Sequence, residues 1–188
     1  MRFGGRGRVV YTLLAPASAL VAPAPALAVE YLTVGQAQAA IFPDADAFEA
    51  RELSLDSAQQ RALEAKLGGA VRARWPARLA RRGGRLLGVL LVDEVIGKFE
   101  RITFATGVDA AGAVRQVEIL VYRESHGHEV RLPAWRKQFV GKTAASPLQV
   151  GEDIANISGA TLSCRHVAQG VRRDLAVVEA LRRAGALP

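Results

Sequence analysis

The chain of 188 residues has few cysteine, histidine and aromatic residues, and these shortages exclude several classes of protein. A single cysteine excludes an internal disulfide framework and a cysteine-based zinc site. Three histidines count against a multi-haem or histidine-rich metal protein. Aromatic residues make up only 6% of the chain, and the stacking platforms of single-strand nucleic-acid binders need more. Half of the residues are apolar, which suffices for one compact domain and excludes a disordered chain.

The chain is basic, with 25 Lys and Arg residues against 18 Asp and Glu residues. Three of the arginines, Arg2, Arg6 and Arg8, lie at the amino terminus, and without them the formal net charge falls from +7 to +4. The remaining excess is spread over several segments and supports nucleic-acid binding only weakly. We therefore expect no nucleic-acid partner.

The amino terminus has the pattern of an export signal. A short basic stretch from Met1 to Arg8 precedes an apolar stretch from Val9 to Val21, and Ala26-Leu27-Ala28 places small residues at the two positions that signal peptidase reads. We predict a signal peptide over residues 1–28, cleaved after Ala28, and a single domain over residues 29–188 that is periplasmic or otherwise exported. The alternative is an uncleaved membrane anchor from Val9 to Val29, which the three prolines of that span disfavour.

The pattern of the central part predicts an antiparallel sheet. Five segments alternate between apolar and polar residues or form short apolar runs, as strands do: Phe48 to Leu55, Val71 to Leu79, Arg85 to Val95, Phe99 to Thr106 and Val114 to Tyr122. Short helices are predicted at Val34 to Ile41, at Asp56-Ser57 to Leu67, where the first residues form a cap, and at Pro133 to Val140, where a proline starts the helix. The predicted fold class is α+β, with a sheet of three to five antiparallel strands packed with helices.

The segment from Thr161 to Arg183 gives the strongest helix prediction. Apolar residues recur there at three- and four-residue spacing and form one face, namely Val167, Val171, Leu175, Val178 and Leu181. Gly185 follows the last turn, where a helix commonly ends.

The segment Ile157-Ser158-Gly159-Ala160-Thr161 runs directly into this long helix. Gly159 permits a backbone conformation that other residues resist, and Ala160 leaves space beside it. The first N–H groups of a helix have no internal partner, and together with the helix dipole they form a site for an anion such as phosphate. Ser158 and Thr161 add hydroxyl groups there. From these residues alone, an ordinary capped helix start remains the alternative.

With Leu162 and Ser163, this segment resembles the flavinylation motif of the FMN-binding domain family. Such domains occur in the flavin subunits of Rnf complexes and of sodium-translocating NADH:quinone reductases, and in small exported FMN-binding proteins. In the family, a flavin transferase esterifies the last threonine of the motif to the phosphate of FMN. The resemblance implies FMN at the start of the last long helix, attached to Thr161, with Ser158, Gly159, Ala160 and Leu162 beside it.

Two further stretches resemble the family in the same order and spacing, and the likeness covers about residues 84–174. Glu124-Ser125-His126-Gly127 is similar to the Glu-Thr-Pro-Gly segment that lies against the isoalloxazine ring. Trp135 to Lys142 is similar to an aromatic–Gln-Phe-x-Gly-Lys stretch. The likeness implies that Glu124, Ser125 and Gly127 contact the ring, that Trp135 packs against it, and that Lys142 neutralises the phosphate or an anionic reduced flavin. Alternatively, Glu124 is a solvated strand end, Trp135 a core residue and Lys142 a surface residue.

The resemblance implies an exported flavoprotein that carries FMN through a threonine phosphoester and acts as an electron-transfer module rather than a substrate-converting enzyme. A flavin transferase would mature it. The expected redox partners are a membrane-associated donor and an extracytoplasmic acceptor, and membrane contact would be only peripheral or through an uncleaved signal. One alternative is reversible binding of FMN or another phosphate ligand for transport or sensing. Another is a basic protein that binds nucleic acid or anionic lipid.

Overall fold

The computed structural model describes residue 1 and residues 28–187, and the predicted export signal lies outside the described residues except for its first and last positions. Six strands form one antiparallel sheet in the order β1-β6-β5-β4-β3-β2. The strands are β1 (Val29–Glu30), β2 (Ala47–Ser54), β3 (Arg74–Arg82), β4 (Arg85–Ile96), β5 (Arg101–Asp109) and β6 (Val114–Tyr122). The helices are α1 (Val34–Ile41), α2 (Ser57–Leu67), α3 (Pro133–Arg136) and α4 (Thr161–Arg183), with 3-10 turns at His128–Arg131 and Lys137–Phe139.

The two faces of the sheet are covered unequally. The longest helix, α4, packs across β4 and β5, and its apolar stripe joins the main core through Val167 and Val171, against strand residues such as Trp75 and Phe104. The shorter α1 covers part of the opposite face through Ile41 and a smaller cluster. Burying an apolar helix stripe on a sheet face is what stabilises both elements. The start of α4 is thereby held at one end of the sheet.

Local sequence signals explain two of the helix starts. Thr33 caps α1 and forms a capping box with Gln36, and Asp56 caps α2 in the same way with Gln59. Each cap side chain accepts hydrogen bonds from backbone N–H groups that would otherwise lack a partner. At the other end of α2, Gly68 closes the helix in the left-handed conformation, at φ +73°.

The predicted α+β class and the bounds of α4 are confirmed, whereas the sheet has six strands rather than three to five. The sixth strand, β1, has only two residues and pairs with Val121 and Tyr122 of β6. Two residues are too few to show the alternation of apolar and polar residues that predicts a strand. Pro76 is tolerated in β3 because the pairing of that strand with β4 begins only at Ala77. Among the described residues, no helix is long and apolar enough to cross a membrane.

One carboxyl of α4 is completely buried. Asp174 Oδ2 accepts a hydrogen bond from Thr106 Oγ1 at 2.6 Å, and in the described part of the chain Asp174 Oδ1 has no partner. The negative charge of the nearby Asp93 is balanced instead, because Arg72 and Arg173 both donate hydrogen bonds to its carboxylate. Burial, and then the charge of Asp93, raise the pKa of Asp174 well above its ordinary value of 3.8.

This carboxyl makes the stability of the fold pH-dependent. Folded Asp174 keeps its proton at pH values where the unfolded chain has lost it, so its contribution is fully present below the unfolded pKa and is lost as the pH rises through the folded pKa. The variant Asp174→Asn has no carboxyl to titrate at this position. We therefore expect its unfolding free energy to rise relative to that of the native chain as the pH increases above about 4. The difference should grow by up to about 1.4 kcal/mol per pH unit. Urea denaturation at a series of pH values measures this difference.

The control is Glu152→Gln, which removes an exposed loop carboxyl. Its stability should follow that of the native chain across the same pH series. A constant difference between Asp174→Asn and the native chain would show that Asp174 ionises normally in the folded state.

Candidate functional site

A cavity of about 440 Å³ lies at the amino end of α4, within the size range of small-molecule sites. Three segments form its walls: the turn between β4 and β5, the segment after β6, and the start of α4. The lining residues are Lys98, Phe99, Glu124, Ser125, His126, Gly159, Ala160, Thr161, Leu162 and Ser163. Six of the ten predicted cofactor-binding residues are therefore brought together around one cavity.

The start of α4 has no side-chain cap, unlike the starts of α1 and α2. Ala160 occupies the cap position, and among the described residues no side chain hydrogen-bonds there. The first bond of the helix runs from Cys164 N to Ala160 O at 2.9 Å, so the preceding N–H groups have no intrahelical partner. These N–H groups and the positive end of the helix dipole favour an anion at this cavity.

A tight turn brings the chain into the helix. Ala160 N donates to Ile157 O at 3.0 Å, and Gly159 within this turn has φ +82°. That left-handed conformation is costly for a residue with a Cβ, so glycine is required by the backbone alone. A Cβ at Gly159 would nevertheless meet no protein atom within 4 Å, so the space beside the turn is open.

Thr161 is half-buried and lines the cavity. Its Oγ1 accepts a hydrogen bond from Asn156 Nδ2 at 3.1 Å. The amide of Asn156 thus orients the hydroxyl oxygen at the same point as the free N–H groups. Asn156 is not among the predicted site residues, because nothing in its spacing from Thr161 marks a side-chain contact. Ser158 is exposed and does not line the cavity.

The segment after β6 is fixed to the helix start. Gly127 has φ +86°, and a Cβ there would lie 2.8 Å from Tyr122 Oη and 3.1 Å from Ala160 Cβ. Tyr122 Oη donates to His126 O at 2.5 Å and lies 3.0 Å from Ser163 Oγ. Burial raises the pKa of Tyr122 to about 12, against the opposing effect of the Ser163 hydrogen bond. The phenol therefore stays protonated and joins this segment to α4.

Glu124 and Ser125 both line the cavity but differ in their contacts. The carboxylate of Glu124 accepts hydrogen bonds from Phe99 N at 2.5 Å and Glu100 N at 2.9 Å, in the turn between β4 and β5. Ser125 is exposed, and its hydroxyl lies 2.9 Å from His126 Nδ1. Ser125 is therefore open to a ligand, whereas Glu124 is engaged by the protein.

Trp135 and Lys142 do not line this cavity. Trp135 is 4% exposed, donates from Nε1 to Ala155 O at 2.8 Å and packs edge-to-face against Phe139. Lys142 Nζ forms an ion pair with Asp153 at 2.8 Å. Both residues hold the loop before the motif. Trp135 is a core residue, as its alternative interpretation states, whereas Lys142 is a half-buried partner of Asp153 rather than a surface residue.

Four cavity residues are not among the predicted site residues, and two of them, Lys98 and Phe99, also lie outside the segments that resemble the family. Lys98 and Phe99 belong to the turn between β4 and β5, whereas the pattern predicts Phe99 as the first residue of a strand. Phe99 is 74% exposed, which is unusual for an aromatic ring. The sequence feature that could have identified these two residues is an aromatic residue in a turn next to the end of a predicted strand.

Three further features of the described residues bear on other chemistry near this site. Cys164 is buried, and burial raises the pKa of its thiol. No group of three or more His, Cys, Asp or Glu residues in residues 28–187 is placed to hold a metal ion. A larger cleft of about 810 Å³ lies at the carboxyl end of α4, and none of the predicted site residues lines it.

Two solved structures share the fold. NqrC of Shewanella oneidensis superposes with a TM-score of 0.52 at 13% identity, covering 76% of this chain and 87% of its own. A subunit of the Na⁺-translocating NADH-quinone reductase of Parabacteroides distasonis gives a TM-score of 0.51 at 16% identity, covering 80% of this chain and 85% of its own. No curated protein matches the sequence.

Residues 97–176 match the FMN-binding domain family. This range contains every residue that lines the cavity at the start of α4. This match and the shared fold confirm the predicted resemblance to the FMN-binding domain family, and they support FMN as the cofactor.

Proposed function

We propose that this chain is an exported electron-transfer flavoprotein whose FMN is attached through its phosphate to Thr161. The observation that carries the proposal is the uncapped start of α4, which opens into the same cavity as the Thr161 hydroxyl. A helix start whose N–H groups no side chain caps is suited to a permanently bound anion. The ordinary capped helix start is disfavoured, because α1 and α2 have such caps and α4 does not.

The residues at this point fit a phosphodiester. The N–H groups of the first helical turn are donors for phosphate oxygens, and the helix dipole favours the remaining negative charge. Asn156 holds Thr161 Oγ1 from the protein side. Attachment would form an oxygen–phosphorus bond to Thr161 and break the bond between the flavin phosphate and its leaving group in an activated flavin-nucleotide donor. The leaving group departs with the proton of the Thr161 hydroxyl, so the chain gains FMN less water. A flavin transferase would bind the donor and catalyse this exchange.

The bound flavin would supply the redox chemistry, accepting electrons singly or in pairs. The chain's own residues would orient it. Ser125 offers an exposed hydroxyl on the rim, and Leu162 and Phe99 offer apolar surface. Lys98 lines the same cavity and places a cation near a group that carries phosphate charge.

Electron transfer is favoured over transport or sensing by the relatives that share the fold. One is named NqrC, and the other is named as a subunit of a Na⁺-translocating NADH-quinone reductase. By analogy, the partners of this chain would be a membrane-associated donor and an acceptor outside the cytoplasm. Reversible binding of FMN remains the second candidate, since the same cavity and helix start would also hold free FMN.

Thr161→Ala should abolish covalent flavin while leaving the fold intact, because the residue is only half-buried. The full chain is expressed with a flavin transferase, denatured, and examined by intact mass and by visible absorbance. The native chain should keep a mass increase of one FMN less water, and Thr161→Ala should lose it. Thr161→Ser keeps a hydroxyl and should retain a measurable fraction of the attachment.

The matched control is Thr143→Ala, which removes a threonine hydroxyl from a loop outside the cavity. It should carry as much flavin as the native chain. Native protein that releases all flavin on denaturation, despite active transferase, would instead favour the reversible binding protein. Covalent flavin retained by Thr161→Ala would show that another residue is the attachment site.

Gly159→Val should block both attachment and phosphate docking, because the added side chain fills the open space beside the turn and forces a strained backbone. Gly68→Val is the matched control, since Gly68 also has positive φ and an open space around a Cβ but closes α2, outside the cavity. Both variants should lose about 1–2 kcal/mol or more of stability from the left-handed conformation. Only Gly159→Val should lose flavin, and equal loss in both variants would assign the effect to destabilisation.

Export should release a chain that begins at Val29. The first strand, Val29–Glu30, pairs with β6, so cleavage after Ala28 would leave the whole described sheet intact. N-terminal sequencing of protein from the extracytoplasmic fraction tests this expectation. Ala26→Asp should prevent cleavage, because signal peptidase requires a small residue at that position. A full-length chain retained in the membrane would favour the uncleaved anchor.

A further inference from the structure

The turn that joins β4 to β5, residues 97–100, carries an aromatic ring with little protein around it. Phe99 is 74% exposed, and it lines the cavity at the start of α4 together with Thr161 and Leu162. Leu162 is also largely exposed for an apolar residue, at 37%. An aromatic ring left open on the rim of a ligand cavity marks a surface that a flat apolar group can cover.

We propose that Phe99 is the stacking wall for the isoalloxazine ring, and that Glu124 and His166 are positioning residues that hold it there. The inference rests on the proposed function, because it requires FMN in the cavity beside Thr161. It assigns Glu124 a different role from the direct ring contact that the family resemblance implies.

Glu124 fixes the turn from the end of β6. Its Oε1 accepts hydrogen bonds from both Phe99 N, at 2.5 Å, and Glu100 N, at 2.9 Å. A carboxylate that accepts two backbone N–H groups is a strong and directional anchor. Gly97 allows this close approach, because a Cβ there would lie 2.6 Å from the same Oε1. The backbone that carries the Phe99 ring is therefore held before any ligand binds.

His166 fixes the same turn from α4. Its Nδ1 lies 2.6 Å from Ile96 O and 2.9 Å from Gly97 O, so the ring N–H donates to the carbonyls at the end of β4. His166 lies five residues after Thr161 on the same helix. The attachment point at Thr161 and the turn that carries Phe99 are thus connected through α4. Because the helix is rigid, it fixes the distance between them.

The surroundings of Phe99 suit a flavin ring rather than a protein partner's side chain. Lys98 Nζ lies over one face of the Phe99 ring, 4.8 Å from its centroid, so a flat group would stack on the other face with a cation close by. Reduced flavin and the FMN phosphate are both anionic, and a cation beside the ring face favours them. A flat ring over Phe99 would also shield the apolar surface of Leu162 from water.

Replacing Phe99 with tryptophan provides the test, because indole quenches flavin fluorescence strongly when it stacks on the ring and phenylalanine does so weakly. The full chain is prepared with flavin attached, and emission is measured per bound flavin. Phe99→Trp should lower the emission several-fold. Val140→Trp is the matched control, since Val140 is exposed and lies outside the cavity. The two native tryptophans, Trp75 and Trp135, do not line the cavity.

The positioning role is tested in the Phe99→Trp background. Adding Glu124→Ala removes the anchor and should restore much of the emission, whereas Glu124→Gln keeps a carbonyl oxygen for the two N–H groups and should stay quenched. In the otherwise native chain, Phe99→Ala should raise the quenching of flavin emission by added iodide, because one face of the ring becomes open to solvent.

The outcomes separate this inference from the proposed function. If intact mass shows flavin on Thr161 but Phe99→Trp emits as brightly as Val140→Trp, Phe99 is not the wall and the attachment still holds. If adding Glu124→Ala leaves the emission of the Phe99→Trp protein quenched, Glu124 does not position the turn. If the native chain carries no flavin at all despite active transferase, both the proposed function and this inference are wrong.

Discussion

The free N–H groups at the start of α4 are the constraint on which the site depends. A helix that begins in water or against a capping side chain satisfies these groups locally, as α1 and α2 do. In α4 the cap position is Ala160, and its small side chain lies against Gly127. Any larger residue at either place would separate the segment after β6 from the helix. The cavity therefore exists because two small residues allow two elements to meet where the backbone donors are free.

The sheet brings the remaining wall to this point. Because α4 packs lengthwise across β4 and β5, its first turn lies near the turn that joins those two strands. The end of β6 lies beside β5, so the segment that follows it reaches the same place. Three parts of the chain that are distant in sequence thus line one cavity. Glu124 and His166 reinforce this arrangement by bonding to the turn from two directions.

Residues with a local pattern could be predicted from the sequence, and residues placed by long-range pairing could not. The bounds of α4 follow from its apolar spacing and from the glycine that follows it, whereas β1 depends on a partner strand more than 90 residues away. The same division holds in the site. Thr161 and Gly127 lie in recognisable segments, while Phe99 reaches the cavity because Glu124 and His166, both distant in sequence, bond to its turn. Conversely, Trp135 has a recognisable position but packs into the core, because its indole N–H finds a partner at Ala155.

The distribution of charge shows how a phosphate can be held with few cations. Lys142 is unavailable, because Asp153 pairs with it and also accepts from Leu148 N and Gln149 N to fold the preceding loop. In the proposed complex, the phosphate at the helix start would therefore be stabilised mainly by backbone N–H groups and the helix dipole. Backbone donors do not titrate and need no side chain to be ordered, so their effect is constant over a wide range of pH. That property suits a domain proposed to work outside the cytoplasm, where the surrounding pH is less closely controlled.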